Sequence, residues 1–542
     1  MIFKHPLKKE LFFLFLITIV GGLLRFYNLD WDQGQMLHPD ERNIANAVSH
    51  IRFFDKLNPQ FFAYGGFPIY LARLVAELMV RISGNLGWVY DWGYINIITR
   101  FFSGVFSTIT IVILFYLAKE IFNKEVAFLS ALFFALTVSS IQSAHFGTVE
   151  SMLVFMIVFL YVFSIRIFKK PDRRNYIYGG IVLGLAIAVK MTALSFTIIP
   201  LISHLLTVGK SYKNLVALVL SAFLVFTLFS PYTFLSLDKF MESMRYESGV
   251  ATGALSVPYT LQFEKTAPYL FQIKNLFWQM GPLAFLIIPG IAFLALAAVK
   301  NKNKVLIIFL AFPVLYFAYV GLWQTKFIRY MLPVLPFFVI SASYFLYLLK
   351  KEFPLIGRFF ILLFLLISAL WVIAFSSIYV REQTRITASK WIYDNIPFES
   401  KIVGEHWDDG LPLSIFPNTS EAYKRELLTI YEPDNQAKIN YYAMQLSTAD
   451  YIIINSRRLY GTLMYRPDKY PVTSKYYRLL FAGDLGFAKV AEFSSYPSFF
   501  GVVINDDASE ESFQVFDHPR VMIFKNMLRF SSKTIIDKLT LL

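Results

Sequence analysis

The sequence predicts a polytopic α-helical membrane protein that carries a soluble α/β domain at its C-terminal end. Three observations carry this reading. Of the 542 residues, 56% are hydrophobic and only 16% are charged, and the mean hydropathy is +0.52, far above that of a soluble chain of this length. About eleven apolar runs, each approaching the length of a bilayer crossing, are separated by short basic loops. After Tyr379 these runs stop and a polar, turn-rich sequence takes over.

In order, the runs are Leu11 to Tyr27, Ile95 to Leu117, Val126 to Ile141, Val149 to Ile165, Tyr176 to Val189, Ala193 to Thr207, Leu215 to Phe229, Phe277 to Val299, Val305 to Trp323, Tyr330 to Leu349 and Phe359 to Tyr379. Lys4, Lys8 and Lys9 flank the first run as they would in a signal peptide, but no small-residue cleavage site follows, so it is expected to stay as the first span. A cytoplasmic N-terminus puts Lys119 with Lys124, Lys169 to Arg174, Lys210 with Lys213, Lys300 to Lys304 and Lys350 to Arg358 on the inner side together. Residues 28–94, Tyr232 to Leu276 and everything after Tyr379 then lie outside. The expected division is a membrane domain over residues 1–379, with a large first outer loop at 28–94, and an extracytoplasmic α/β domain over residues 380–542. Within the latter, Asp408-Asp409-Gly410 reads as a turn, Tyr451 to Asn455 as a strand and Gln436 to Leu446 as an amphipathic helix.

The formal net charge of +14 does not point to nucleic acid, because the Lys and Arg residues sit in short clusters between apolar runs and not on one basic face. The chain has no Cys, which excludes disulfides, thiolate metal sites and Cys nucleophiles.

Candidate chemistry concentrates at His38-Pro39-Asp40-Glu41-Arg42. His38 can cap a helix that opens on Pro39, and Ile44, Val48 and Ile51 then form one apolar stripe, so the helix from Pro39 to about Phe54 is expected along the membrane surface. Asp40 and Glu41 fall in its first turn, where the helix dipole favours carboxylates and keeps at least one ionised, able to accept a proton or bind a cation. The plainer alternative is that both acids only stabilise the helix start. Lys326 and Arg329, three residues apart after the ninth run, are expected to share one helical face at the outer boundary. There they either clamp a phosphate or snorkel to anchor the helix. Lys190, between two short runs, needs an anion or the water boundary. Arg245, flanked by Glu242 and Glu247, reads as a phosphate helper or as a surface ion pair. His145 and Glu150 could join Asp40 around a metal, although a satisfied buried His is the simpler reading. Asp30-Trp31-Asp32 shows a metal-like alternation without further context.

The stretches His38 to Asn43, Asn58 to Gly66, Ala144 to Glu150, Ala188 to Thr192, Thr266 to Leu270 and Lys326 to Pro333 carry a family resemblance. The chain resembles lipid-carrier-dependent glycosyltransferases of the GT-C fold, in glycosyltransferase family 39 with the protein O-mannosyltransferases and the aminoarabinose transferase that modifies lipid A. The likeness covers the membrane part. The tail, with Phe516-Asp-His-Pro-Arg520, resembles those of prokaryotic members, and Glu150 stands where many relatives carry Asp.

This resemblance implies an inverting transfer of a sugar from a polyprenyl-phosphate carrier to an acceptor hydroxyl on a protein, lipid or glycan, at the outer face of the cell membrane. Asp40 would be the general base, with Glu41 orienting the acceptor or holding Arg42. Lys326 and Arg329 would receive the departing phosphate, helped by Arg245 and Lys190, while His38, Arg42, His145 and Glu150 would lend support. No cofactor is required, and a divalent metal is left open. The implied partners are the lipid-linked donor, the hydroxyl acceptor and the bilayer. Three rivals stay open: an oligosaccharyltransferase, whose Trp-Trp-Asp-Tyr-Gly box is absent after Tyr379; a transporter, which predicts inverted repeats and charges at mid-membrane; and an inactive glycan-binding scaffold.

Overall fold

A computed structural model describes residues 6–416 and 422–540, and Lys4 lies outside them. The chain forms two compact units, Met1–Leu255 with Ala267–Ile373, and Ser256–Thr266 with Ala374–Leu542. The second unit therefore begins inside the last apolar helix, Pro354–Val380, and takes in a segment of the outer loop before residue 267.

In the first unit every apolar run lies in a helix or a broken pair of helices. Among the described residues six helices can cross a membrane by length and composition, and a seventh candidate is the pair Lys124–Ala135 and Val138–His145, bent by 49°. The shortfall against about eleven comes mainly from helices that formed but are short, such as the 17-residue Arg173–Val189. The bend in the pair has an identifiable partner. At the break, the carbonyls of Ala135 and Phe134 accept from Arg25 at 3.0 and 3.1 Å, and the same guanidinium reaches Ser107 at 2.7 Å. Helices Arg173–Val189 and Tyr212–Phe229 approach closely at Gly180 and Gly184, where a methyl group would collide with the carbonyls of Leu218 and Ala222.

The helix Pro39–His50 and its cap bury Ile44, Val48 and Ile51 within the protein core, so the apolar stripe is a packing face and not the membrane-surface face expected. The helix stops at His50, and Phe54 beyond it is 99% exposed.

The second unit is built on five strands: β1 Lys401–Glu405, β2 Lys424–Leu428, β3 Tyr451–Ile454, β4 Phe487–Phe493 and β5 Val521–Asn526. Their order is β2-β1-β3-β5-β4, with β2, β1 and β3 parallel and β5 antiparallel to both its neighbours. Alternation divides the core. Val403, Ile452, Ile454 and Phe524 pack with Tyr442 and Leu446 of the helix Gln436–Thr448, whereas Ile402, Tyr451, Ile453 and Ile523 pack with Ala388 and Ile392 of the helix Thr384–Asn395. A strand covered on both faces explains the unbroken apolar run at Tyr451.

Candidate active site

The site starts from a helix cap. His38 Nδ1 accepts from the Asp40 amide at 3.2 Å and Pro39 takes the first helical position, as the sequence led us to expect. Burial lowers the His38 ring against the pull of Asp40 and Glu41, and acceptance at Nδ1 leaves the proton of the neutral ring on Nε2. Neighbouring residues on a helix point about 100° apart, so Asp40 and Glu41 have different fates.

Glu41 turns inward and is fully buried. Its carboxylate accepts from Arg100 Nε and Nη2 at 2.8 and 2.6 Å and from the Gly147 amide. The same guanidinium binds both oxygens of Asp32 at 2.8 Å and lies 4.8 Å from the ring centre of Trp31, whose indole N–H donates to the His145 carbonyl at 3.0 Å. Glu41, expected to orient the acceptor or to hold Arg42, is buried in a staple with Arg100 and Asp32, and of the Asp30-Trp31-Asp32 alternation Trp31 and Asp32 belong to it. His145 is likewise committed within the protein, its ring nitrogens lying 2.9 and 2.8 Å from the carbonyls of Ile141 and Tyr27, one of which accepts the N–H of a neutral ring. Among the described residues no group of three or more His, Asp or Glu is arranged to hold a metal ion.

Asp40 faces the mouth. Its Oδ2 accepts from Tyr64 Oη at 3.1 Å and from Arg329 Nη1, and the ion pair stays partly open, with the two side chains 22% and 30% exposed. Burial pushes the Asp40 carboxyl up, but the Arg329 charge, with Lys190 and the Tyr64 hydrogen bond, outweighs it and holds the group below the usual carboxylate range. Burial and the neighbouring Asp40 charge raise the Tyr64 phenol, which therefore stays a donor. Behind Tyr64, Lys190 Nζ sits 5.1 Å from its ring centre and donates to Glu150 Oε1 at 3.1 Å, so Lys190 has the anion its position demands. The backbone fixes this pairing: the Gly65 amide donates to the Val189 carbonyl at 2.9 Å, and a side chain at Gly65 would run into the Ala188 carbonyl. A small pocket of about 20 Å³ opens beside Tyr64, lined by aromatic side chains including Phe61, Tyr70 and Phe240.

Lys326 and Arg329, expected either to clamp a phosphate or to snorkel, do not act as a pair. Phe327 is extended and a 3₁₀ helix begins only at Ile328, so Lys326 and Arg329 share no α-helical face. Lys326 is buried and donates to the Gln324 carbonyl at 3.0 Å, while Arg329 joins Asp40. Arg329 Nε is buried without a hydrogen-bond acceptor among the described residues, a spare donor beside the carboxylate. Arg245 is exposed on the outer helix Leu237–Thr252 with no ion pair among the described residues, and Arg42 is half-buried.

Three contributors were not foreseen. Arg100 is hidden in an apolar run, Tyr64 sits without distinction in the stretch Asn58 to Gly66, and Glu247 reads as a flank of Arg245. Desolvation pushes the Glu247 carboxyl up, and the charges of Arg329 and Lys190 pull it down.

Residues 71–234 match the family model described as dolichyl-phosphate-mannose-protein mannosyltransferase. No curated protein matches the chain in sequence. In fold the chain is similar to the archaeal oligosaccharyltransferase AglB from Archaeoglobus fulgidus in complex with an inhibitory peptide and a dolichol-phosphate, at 14% identity over 92% of this chain and 76% of that one, TM-score 0.54. The same enzyme tethered with an acceptor peptide gives 15% identity over 92% and 75%, TM-score 0.52. ArnT from Cupriavidus metallidurans in the apo state gives 13% identity over 95% and 97%, TM-score 0.50. In fold, therefore, the chain is similar to these membrane glycosyltransferases, and it carries a C-terminal sheet-containing domain. The segment 71–234, which holds Arg100, Glu150 and Lys190, is similar to the protein mannosyltransferases.

Proposed function

We propose that this chain is an inverting glycosyltransferase that moves a sugar from a polyprenyl-phosphate carrier to an acceptor hydroxyl on the outer side of the membrane, with the N-terminus cytoplasmic. The observation that carries the reading is the double engagement of Asp40, an ionised and partly open carboxylate that shares one mouth with Arg329 and, through Tyr64, with Lys190. The dolichol-phosphate in the AglB complex and the acceptor peptide tethered to that enzyme support the two partner classes.

Asp40 takes the proton of the acceptor hydroxyl while its oxygen attacks the anomeric carbon from the face opposite the phosphate. The bond from carbon to phosphate oxygen breaks, and the carrier phosphate departs against Arg329 and Lys190, which neutralise the charge growing on it. A carboxyl held below the usual range is a weak base. A phosphate arriving at Arg329 draws that cation away, so Asp40 becomes more basic only when the donor is seated. Lys190 and Arg329 replace the Lys326–Arg329 pair as the clamp, and Glu41 acts by positioning the helix that carries Asp40. The reaction draws on no cofactor, because these side chains supply the positive charge that a metal would bring.

Membranes holding the protein, incubated with a panel of labelled polyprenyl-phosphate sugars, should transfer label from at least one donor to a hydroxyl with inversion. Retention of configuration, or no transfer from any donor, overturns the proposal.

A further inference from the structure

A short hairpin stands out in the second unit. Ser498–Phe499 pairs antiparallel with Val502–Val503, the Ile504 amide closes on the Pro497 carbonyl at 2.8 Å, and Phe500 and Gly501, both with positive φ, make the turn. The tip is apolar and uncovered: Phe500 is 98% exposed, Val502 53% and Val503 61%. From Ser498 to Ile504 there is no charged side chain. A group of this kind on a protein surface calls for an apolar partner.

The hairpin's base shows which partner. The Ser498 amide donates to Ser377 Oγ at 3.1 Å, and Arg381 Nη2 bridges the Tyr496 carbonyl at 2.6 Å and Ser377 Oγ at 2.8 Å. Ser377 lies in the last turn of Pro354–Val380, the apolar helix whose inner end is marked by Arg358. Counting about 20 residues at ~1.5 Å each from Phe359 uses up the ~30 Å of hydrocarbon near residue 378. Ser377 therefore sits where lipid ends, and the hairpin is fastened at that level.

We propose that the hairpin at 498–503 enters the head-group layer of the same bilayer and fastens the soluble unit to the lipid surface. Head-group depth suits it: water remains there for the open amides and carbonyls of the turn, while the rings and valines are withdrawn from bulk water. The inference is independent of the transfer reaction.

The absence of Cys makes the test direct. Phe500→Cys in the full-length protein, labelled with an environment-sensitive NBD probe, is reconstituted in phosphatidylcholine liposomes with or without lipid bearing a doxyl group near the head. Glu426→Cys serves as the reference, being exposed on edge strand β2 across the sheet from β4, which leads into the hairpin. The label at 500 should be quenched by doxyl lipid on the order of twofold more than at 426, and shielded from aqueous iodide. Equal iodide access at both positions overturns the proposal. So does shielding without doxyl quenching, which means that protein, such as a second copy, covers the tip. Val503→Cys repeats the measurement, and matched thermal melts verify that both variants are folded.

Discussion

Asp40→Asn separates the proposed roles of the carboxylate. Asparagine keeps the shape and can still accept from Tyr64, but it takes no proton at any working pH and offers Arg329 no charge. Removing a general base lowers the rate by about 10²–10⁴-fold, or ~3–5 kcal/mol in the barrier. Donor binding should move the other way. At rest Arg329 is engaged by Asp40 in a pair whose side chains are 30% and 22% exposed. Discounted for solvent screening, such a pair is worth on the order of 1 kcal/mol, so freeing Arg329 should tighten the polyprenyl-phosphate Kd by up to about fivefold. The two quantities are read separately: kcat from transfer of labelled sugar in membranes with matched protein content, and Kd from titration of the solubilised protein with the carrier phosphate. Turnover within about threefold of wild type removes Asp40 from proton transfer. Lost turnover with weakened donor binding assigns Asp40 to holding the donor or the fold, and the argument for a base fails.

Arg100→Ala leaves the buried carboxylates of Asp32 and Glu41 without their cation, and a loss of ~3–5 kcal/mol is expected in unfolding experiments; a melt like that of wild type would contradict the staple. Burial raises Glu405 from 4.5 to about 8 despite its hydrogen bond from Tyr477, so the folded unit holds a proton that the unfolded chain releases. Stability of the second unit should accordingly fall as pH rises from about 4.5 to 8. Glu405→Gln should flatten that part of the melt-versus-pH curve, and an unchanged slope would refute the assignment. Chelation with EDTA should leave transfer intact. A loss of more than about tenfold that Mg²⁺ or Mn²⁺ restores would bring a metal into the mechanism.

Much of the fold was legible because hydropathy and capping are local. Each apolar run became helix, His38 capped the helix that opens on Pro39, and Gln436–Thr448 and Tyr451–Ile454 formed where the pattern placed them. The crossing count was less legible, because about twenty apolar residues is a length rule and several of these helices are shorter. The site was half legible. Asp40 and Arg329 were singled out on chemistry, but 289 residues separate them, and no pattern announces that they meet. Lys326 was misplaced because an i, i+3 argument assumes an α-helix, and the extended Phe327 breaks it. Arg100 escaped notice because its partners lie 59 and 68 residues away, and a single Arg in an apolar run reads as an exception until they are seen.

Gly65 leaves no slack between two parts of the site. With its amide on the Val189 carbonyl and no room for a side chain against Ala188, the outer loop and the end of the helix Arg173–Val189 are welded one residue from Tyr64 on one side and one from Lys190 on the other. The loop at 58–66 cannot be transplanted alone. The graft has to bring its matching helix end, or Tyr64 and Lys190 will lose their common frame.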